Sequence, residues 1–338
     1  MMKNLSFNAY VVEENEDGSF SGNIKERTID QLPPGEVTVR VEYSSLNYKD
    51  ALSATGNRAV TKTYPHTPGI DAAGIVAEST ADSIREGTPV IVTSYDLGMN
   101  TAGGYGQYIR VPADWVVPLP PGLSLKESMI FGTAGFTAAL SLLKLTEAVK
   151  PAQGPIVVTG ATGGVGSVAA AILAKLGYAV SAVSGKPTAK AFLGPFGVKE
   201  IIERKVFLEN KDRPLLKPIW AGAVDTVGGD LLANAIKSTQ PMGVVTCCGN
   251  AASPELPITV FPFILRGVSL MGVNSQSCPM DIRKRAWEKL SHEWKFGGLQ
   301  QLCREISLNG LSDGIATILK GGLTGRTVVR LGETADTA

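Results

Sequence analysis

The period of the hydrophobic pattern changes along the chain. Residues 1 to about 120 contain short runs such as EVTVRVEYSS and TPVIVTSYD, in which apolar and polar residues alternate, and PPG and TPG turns separate these runs. This alternation predicts half-buried β-strands. From about 124 to 273, apolar strands such as PIVVTG, YAVSAVSG and GVVTCCG alternate with helical segments, which is the pattern of a parallel βαβ sheet. A polar helix, a second helix and the strand RTVVRL follow.

One turn in this second region is rich in glycine. The stretch VVTGATGGVG, residues 157–166, places Gly160, Gly163 and Gly166 between an apolar strand and an Ala-rich helix, and the next strand follows. This is the context that a dinucleotide fingerprint requires, although the spacing is G-x-x-G-x-x-G. Without side chains, a diphosphate can approach the backbone N–H groups at the positive end of the helix. We predict a nucleotide site here; a purely structural turn is the alternative.

The end of the next strand indicates which nucleotide is bound. An NAD site usually places Asp or Glu there to bind the ribose 2′-OH, whereas this strand ends in Ser184, Gly185 and Lys186. A hydroxyl and an ammonium suit a 2′-phosphate, which a carboxylate would repel. Arg204, after the third strand, adds a guanidinium that binds phosphate well. Both cations have ordinary surface residues as the alternative, but with the acid absent we predict NADPH rather than NADH.

Composition and charge narrow the class of protein. The 338 residues exceed one typical domain, so two domains are expected. The 32 basic and 31 acidic residues give a net charge of +1, which provides no global field to attract nucleic acid or an anionic membrane. The N-terminal residues do not form a signal peptide, and no apolar run approaches the ~20 residues that span a bilayer. We therefore expect a cytoplasmic protein.

The cysteines and histidines do not support a metal site. Cys247, Cys248, Cys278 and Cys303 are irregularly spaced in the last third of the chain, without a CxxC pair, so neither a zinc site nor a disulfide framework is expected. We expect His66, after Pro65 in a turn-like run, to be a surface residue, and His292 to face solvent on a late helix.

Seven motifs together resemble a known family. SSLNYKDAL, PGIDAAG, GTAGFTAAL, VTGATGGVGS, DTVGG, PFILRGVSLMGVNS and GRTVV occur in this order and are similar to the zinc-free medium-chain dehydrogenase/reductases, most of all the acrylyl-CoA reductase (NADPH) group. The resemblance implies an α/β fold with a GroES-like β domain and a Rossmann domain with a doubly wound parallel sheet. The expected limits are 1–123 for the first part of the GroES-like catalytic domain, 124–273 for the Rossmann NADPH-binding domain and 274–338 for the C-terminal segments that complete the catalytic domain.

The resemblance also argues against zinc. Zinc-dependent relatives have Cys where Asn47 stands and Gly-His-Glu where this chain has Gly69, Ile70 and Asp71, and they carry a four-cysteine lobe. No cysteine precedes Cys247 here, so the soft ligands are missing from every expected position.

The implied reaction is transfer of hydride from NADPH to the β-carbon of a short 2-enoyl-CoA, with acrylyl-CoA giving propionyl-CoA. The α-carbon takes a proton. Because negative charge gathers on the thioester oxygen, hydrogen-bond donors are needed there. Two alternatives stay open: an NADPH:quinone oxidoreductase, and a non-catalytic NADPH-binding redox sensor.

Tyr48 is the leading catalytic residue. The resemblance places its phenol beside the nicotinamide, where it can contact the ring or donate a hydrogen bond or proton; the alternative is a half-buried packing tyrosine. Asn47 is the second candidate, either orienting substrate or cofactor or capping a helix that begins at YKDAL. We expect Asp50 to have a structural role in that helix.

The resemblance implies further cofactor contacts. Asn250 stands where the family often has Leu, Lys320 stands where close relatives have Asn, and Arg266 is expected to be structural. RGVSLMGV is expected to form the edge of a homodimer, by analogy. The cofactor contacts, including those predicted above, are Tyr48, Thr133, Gly160, Thr162, Gly163, Gly164, Val165, Gly166, Ser184, Gly185, Lys186, Arg204, Asn250, Ile264, Ser275 and Lys320.

Overall fold

The computed structural model describes residues 4–332, which divide into two compact units. Of the described residues, the first unit contains 4–133, 279–284 and 300–332, and the second contains 134–278 and 285–299. The predicted limits differ from this division at 124–133, 274–278 and 285–299. Within the helix Leu125–Ala148, Gly132 has φ 51 and ψ −158, which are not helical values, so the helix is broken where the units divide.

The strands of the first unit pair antiparallel, except for the parallel pair at one edge of its larger sheet. Its seven-stranded sheet has the order β14-β15-β3-β4-β5-β7, and β6 also pairs with β3. Alternate residues of β3, Val37, Val39 and Val41, are buried in its core, as the period of two predicts. The elements are β1 (Ser6–Glu14) and β2 (Phe20–Thr28), which form a separate pair, β3 (Val37–Ser45), α1 (Tyr48–Ala54), β4 (Asp71–Ser79), β5 (Pro89–Thr93), β6 (Tyr108–Val111), β7 (Val116–Pro118), β14 (Cys303–Ser307), α9 (Leu311–Leu319) and β15 (Arg326–Arg330).

The second unit contains a parallel six-stranded sheet in the order β10-β9-β8-β11-β12-β13. This confirms the predicted Rossmann-like fold. Ala-rich α3 buries most of its residues against the sheet. The elements are β8 (Ile156–Thr159), α3 (Gly164–Lys175), β9 (Val180–Ser184), α4 (Ala189–Leu193), β10 (Glu200–Glu203), α5 (Arg204–Phe207), β11 (Trp220–Asp225), α6 (Gly229–Lys237), β12 (Thr239–Cys247), α7 (Phe261–Arg266) and β13 (Ser269–Gly272). Helices α2 (Leu125–Ala148) and α8 (Met280–Ser291) contribute residues to both units.

Helix α2 corrects one expectation from the sequence. Its 24 residues are long and apolar enough to span a membrane, contrary to the expectation that no apolar run approaches this length. However, 83% of its most apolar 18-residue stretch is buried inside the protein. Core helices of globular proteins pass the same test, so the helix is weak evidence for a membrane span.

His66 corrects another expectation. Its side chain is buried, with 7% exposed, because its backbone N–H and C=O both pair with Val12 of β1, at 2.9 and 2.7 Å. Burial lowers the pKa of this imidazole. His292 is exposed, as expected. The four cysteines are free thiols.

Candidate functional site

The three glycines of the G-x-x-G-x-x-G spacing, Gly160, Gly163 and Gly166, differ in what a side chain at each position would meet. Gly160 has φ 60, which favours glycine, and a Cβ there would collide with Oγ1 of Thr226. A Cβ at Gly166 would collide with the carbonyl oxygen of Gly160, so this glycine lets α3 pack closely against the loop. A Cβ at Gly163 would lie 3.2 Å from the carbonyl oxygen of Gly160, which is a tight contact but not a collision. Of these three glycines, Gly163 is therefore the one that packing within the protein requires least.

Helix α3 gives the loop its binding groups. The helix begins at Gly164, and the first backbone N–H groups of an α-helix have no acceptor within the helix. These groups, on Gly164, Val165 and Gly166, lie at the positive end of a 12-residue helix. The structure thus brings all the predicted loop residues to one helix N-terminus, and their chemistry fits a diphosphate.

A second group of predicted residues lies beside this loop. The hydroxyl of Ser184, the last residue of β9, is 3.1 Å from the hydroxyl of Thr162. The Ser184 oxygen also accepts a 3.1 Å hydrogen bond from the backbone N–H of Lys186. A Cβ at Gly185 would lie 4.0 Å from the guanidinium carbon of Arg204. The sheet explains this meeting, since Ser184 pairs with the residue before Arg204 in parallel β10.

The charges of this corner fit a phosphate monoester. Lys186 and Arg204 supply two cations next to the Ser184 hydroxyl, and Gly185 leaves the backbone between them uncovered. Partial burial lowers the pKa of Lys186. Such donors bind phosphate groups well, and a 2′-phosphate is one of them. We call Ser184, Gly185, Lys186 and Arg204 the cationic corner.

The other predicted contacts of the second unit divide into two sets. Asn250 and Ser275 follow β12 and β13, and these strands run parallel with Cys247 opposite Gly272. Both residues therefore leave the sheet at the carboxyl edge, where open α/β sheets bind ligands. Ile264 lies elsewhere: it is 68% exposed on α7. The structure does not bring Ile264 together with the glycine loop.

Arg266 explains the position of Ile264. Its guanidinium donates to the carbonyl oxygens of Leu216, Lys237 and Thr239, at 2.6, 2.8 and 3.3 Å. Thr239 is the first residue of β12, so Arg266 fixes α7 to the amino edge of the sheet. This agrees with the structural role expected for Arg266.

In the first unit, Tyr48 begins α1. Tyr48 is 46% exposed, which fits both the predicted contact with the nicotinamide and the half-buried packing tyrosine considered as its alternative. The preceding Asn47 is the N-cap, and its backbone N–H donates to Asp50 Oδ2 at 2.8 Å. This contact is the acidic half of a capping box and supports the structural role expected for Asp50. Lys320, the C-cap of α9 in the same unit, is exposed, and its predicted contact stays a prediction.

Asp71 is the centre of a buried polar network beside Asn47. Its carboxylate accepts hydrogen bonds from the Asn47 amide (2.8 Å), the Ser45 hydroxyl (2.5 Å), and both the backbone N–H (2.9 Å) and the hydroxyl (2.6 Å) of Thr133. Arg326 lies 3.9 Å from the same carboxylate. Asp71 accepts all of these hydrogen bonds. The network therefore connects predicted residues Asn47 and Thr133 through one carboxylate.

Gly132 allows this network to close. Its φ is 51, and a Cβ there would lie 2.5 Å from Asp71 Oδ2 and 2.6 Å from Ser45 Oγ. Arg326 reaches the network from β15, donating to Ser45 Oγ (2.7 Å) and to the Asn47 side-chain oxygen (3.3 Å). Because arginine only donates, this last contact assigns the amide nitrogen of Asn47 to the carboxylates.

Asp50 is the second carboxyl group in the network. It is fully buried and accepts from the backbone N–H of Ile70 (2.8 Å) and the hydroxyl of Tyr105 (3.0 Å). Burial, and then the negative charge of Asp71, raise the pKa of Asp50 to about 7. The Asn47 amide nitrogen is 3.2 Å from Asp50 and 2.8 Å from Asp71, so it lies between two buried carboxyl groups.

Sequence reasoning missed several of these residues. Ser94 and Tyr95 have φ values of 66 and 52, which are unusual for residues other than glycine, and the Ser94 hydroxyl is 3.0 Å from that of Thr133. The ring of Tyr95 stacks on Trp115 and lies under the guanidinium of Arg283. Nothing in the local sequence indicates this turn. Arg326, by contrast, lies in the motif GRTVV, at the start of the apolar strand β15. A basic residue at this position of an apolar strand can be recognised from the sequence.

Among residues 4–332, no group of three or more His, Cys, Asp or Glu residues is arranged to hold a metal ion. Asn47 and Asp71, at two of the positions where zinc-dependent relatives have ligand motifs, are instead hydrogen-bonded to each other.

Comparison with known proteins agrees with this architecture. Residues 33–121 match the alcohol dehydrogenase GroES-like domain, and residues 164–292 match the family described as zinc-binding dehydrogenase. The chain is 44% identical to acrylyl-CoA reductase AcuI of Ruegeria pomeroyi over 96% of its own length and 98% of that protein. The chain belongs to the acrylyl-CoA reductase group of the zinc-free medium-chain dehydrogenase/reductases.

Other members of the family have been solved with nucleotides. The yhdH oxidoreductase of Salmonella enterica in complex with NADP has a TM-score of 0.93 and 42% identity, covering 97% of this chain and 100% of that one. The yhfP protein of Bacillus subtilis with NAD bound has a TM-score of 0.94 and 42% identity, with the same coverage. A Bacillus subtilis relative named putative quinone oxidoreductase YhfP is 43% identical over 96% of this chain and 99% of that protein. The predicted family and fold class are confirmed.

Proposed function

We propose that this protein reduces the C=C bond of a short 2-enoyl-CoA, acrylyl-CoA, to the saturated acyl-CoA with NADPH. The observation that carries the proposal is the 44% identity, over 98% of the relative's length, to an acrylyl-CoA reductase. The glycine loop and the cationic corner support a nucleotide with a 2′-phosphate. The product, propionyl-CoA, differs from the substrate by one hydride at the β-carbon and one proton at the α-carbon.

The residues for the cofactor are assigned from the geometry of the second unit. The loop 160–166 binds the diphosphate through backbone N–H groups, and the cationic corner binds the 2′-phosphate. Asn250 and Ser275 contact the remainder of the nucleotide at the carboxyl edge. Relatives have been solved with NADP and with NAD, so the cationic corner is what supports NADPH in this chain. When bound, NADPH supplies the hydride.

Tyr48 is assigned to the acceptor. Its exposed phenol donates a hydrogen bond to the thioester oxygen, where negative charge develops as the β-carbon is reduced, or supplies the proton that the α-carbon takes. Asn47, Asp50 and Asp71 fix the start of α1 and so hold Tyr48 in place. Thr133, joined to Asp71 by two hydrogen bonds, is assigned to the nicotinamide end.

A quinone is the second candidate acceptor, because one relative of 43% identity is named putative quinone oxidoreductase. The two acceptors separate in a direct assay: NADPH oxidation is measured with acrylyl-CoA and with benzoquinone. The enoyl proposal predicts a kcat/KM at least tenfold higher for acrylyl-CoA. A preference for benzoquinone would replace it with quinone reduction, and NADPH binding without turnover of either acceptor would favour the redox sensor.

We also propose a cytoplasmic homodimer formed through β13. This strand is at the edge of the six-stranded sheet, so its outer backbone groups are available to a second copy. Next to it, Met242, Val260, Ile264 and Leu265 are more than 60% exposed. Exposed apolar side chains near an unpaired sheet edge support an interface there. Ile264→Glu is expected to shift a dimer towards monomer in sedimentation velocity, whereas a wild-type monomer at micromolar concentration would contradict the proposal.

A further inference from the structure

Thr226 occupies a central position at the carboxyl edge of the parallel sheet. It is the first residue after β11, which lies between β8 and β12. Strand β8 leads into the glycine loop 160–166, and β12 leads into the segment 248–250. Since parallel strands end at a common edge, Thr226 lies between two segments that we assign to the cofactor.

Thr226 fixes the start of the glycine loop. Its hydroxyl donates to the backbone carbonyl of Thr159 at 2.9 Å, and its backbone N–H donates to the hydroxyl oxygen of Thr159 at 3.2 Å. Thr159 is the residue before Gly160. A Cβ at Gly160 would collide with the Thr226 hydroxyl, so the loop and this side chain are in close contact.

The other side of Thr226 contacts the segment 248–250. A Cβ at Gly249 would collide with the carbonyl oxygen of Thr226 and lie 3.3 Å from its Cα. The backbone N–H of Cys248 donates to the carbonyl oxygen of Asp225 at 3.1 Å. Both segments therefore pack directly on the same two residues.

The carboxylate of Asp225 stabilises these contacts by accepting two hydrogen bonds. One oxygen accepts from the Thr159 hydroxyl at 2.6 Å, and the other accepts from the backbone N–H of Gly228 at 2.8 Å. Because the Thr159 proton goes to Asp225, the Thr159 oxygen is left to accept the N–H of Thr226. Asp225 is fully buried, and burial raises the pKa of its carboxyl.

We propose that Asp225 and Thr226 are positioning residues that hold the glycine loop and the segment 248–250 in one fixed arrangement for the diphosphate and the nicotinamide half of NADPH. The inference rests on the proposed function, because it takes NADPH as the ligand. The 2′-phosphate half is bound by the cationic corner on β9 and α5, and β8 separates β9 from β11. Loss of the Thr226 hydroxyl should therefore affect the two halves of the nucleotide differently.

Thr226→Val tests this because it removes the hydroxyl and keeps the volume and the β-branch. Dissociation constants are measured by isothermal titration calorimetry for NADPH and for adenosine 2′-monophosphate, which lacks both the diphosphate and the nicotinamide half. We expect Thr226→Val to weaken NADPH about tenfold, as one lost hydrogen bond can, and adenosine 2′-monophosphate less than twofold. Thr226→Ser retains the hydroxyl and is the matched control, with both constants within twofold of wild type.

Equal losses for the two ligands, or no loss for NADPH, would overturn the positioning role. If Thr226→Val does not fold, the partner residue allows the same comparison: Thr159→Ala is expected to show the selective loss, and Thr159→Ser is not.

Failure of the proposed function can be distinguished from failure of the positioning role. A wild-type protein that binds NADPH without reducing acrylyl-CoA, while Thr226→Val shows the selective loss, contradicts the substrate and supports the positioning role; a wild-type protein that binds neither nucleotide contradicts both.

Discussion

The amide nitrogen of Asn47 donates a 2.8 Å hydrogen bond to the carboxylate of Asp71. Zinc-dependent relatives have ligand motifs at these two positions. In this chain an amide–carboxylate pair connects α1 to Thr133 and Arg326, so Asn47 and Asp71 hold these elements together by hydrogen bonds. The position of Tyr48, one residue from Asn47, depends on this pair.

Replacing Asn47 is expected to destabilise the first unit. Asn47→Ala removes the donor that lies between two buried carboxyl groups, and leaving buried acceptors unsatisfied costs about 1–3 kcal/mol. Urea unfolding measures the free energy of unfolding. Asn57, an exposed asparagine in the same unit, gives the control Asn57→Ala, whose loss should be smaller. Equal losses for the two variants would contradict the role of Asn47 in the network.

Asp50 predicts an unusual pH dependence of stability. Its pKa in the folded state is about 7, above the ordinary value of 3.8, so the folded state binds more protons than the unfolded state between these pH values. This carboxyl group therefore makes stability fall as pH rises from about 4 to 7, with no further change above that range.

Asp50→Asn isolates this contribution. The free energy of unfolding is measured for the wild type and for Asp50→Asn at several pH values from 4 to 8. As pH rises, the value for the wild type should decrease relative to the value for Asp50→Asn. Asp71, Arg326, Tyr105 and Lys49 surround Asp50 electrostatically and are present in both proteins. A difference that is independent of pH would show that Asp50 does not titrate in this range.

The cationic corner predicts the choice of cofactor. Lys186→Ala and Arg204→Ala each remove one cation from the 2′-phosphate, and hydrogen bonds to charged groups contribute about 1.5–3 kcal/mol. Each variant should raise the KM for NADPH at least tenfold and leave that for NADH within twofold. Lys190→Ala, which replaces an exposed lysine of α4, is the control. Equal changes for both nucleotides would contradict the phosphate assignment.

The glycines of the loop predict a separation of stability from binding. Gly166→Ala should destabilise the protein, because its Cβ would collide with the Gly160 backbone. Gly163→Ala should cost less stability than Gly166→Ala, because its Cβ would lie 3.2 Å from the carbonyl oxygen of Gly160 without colliding with it, and it should weaken NADPH binding because the new methyl group lies beside the predicted diphosphate site. Thermal unfolding and NADPH titration measure the two effects. Loss of stability in Gly163→Ala comparable to that in Gly166→Ala would mean that Gly163 has a packing role only.

The sequence allowed the parallel sheet, the glycine loop and the cationic corner to be predicted because their signals are local. Ser184 and Lys186 end one strand, and Arg204 follows the next, so parallel pairing brings them together. The network around Asp71 joins residues from β3, β4, α2 and β15, and such long-range contacts have no periodic signal. The predicted surface position of His66 is wrong for the same reason, because its burial depends on a long-range backbone pairing with Val12.

Transfer of isotope to the product tests the central claim most directly. The protein is incubated with acrylyl-CoA in two separate reactions, each with NADPH that carries deuterium at C4 on one face of the nicotinamide, and the product is analysed by mass spectrometry and NMR. In one of the two reactions, the account predicts propionyl-CoA that carries one deuterium at the β-carbon. Absence of propionyl-CoA, or deuterium at the α-carbon, would contradict it.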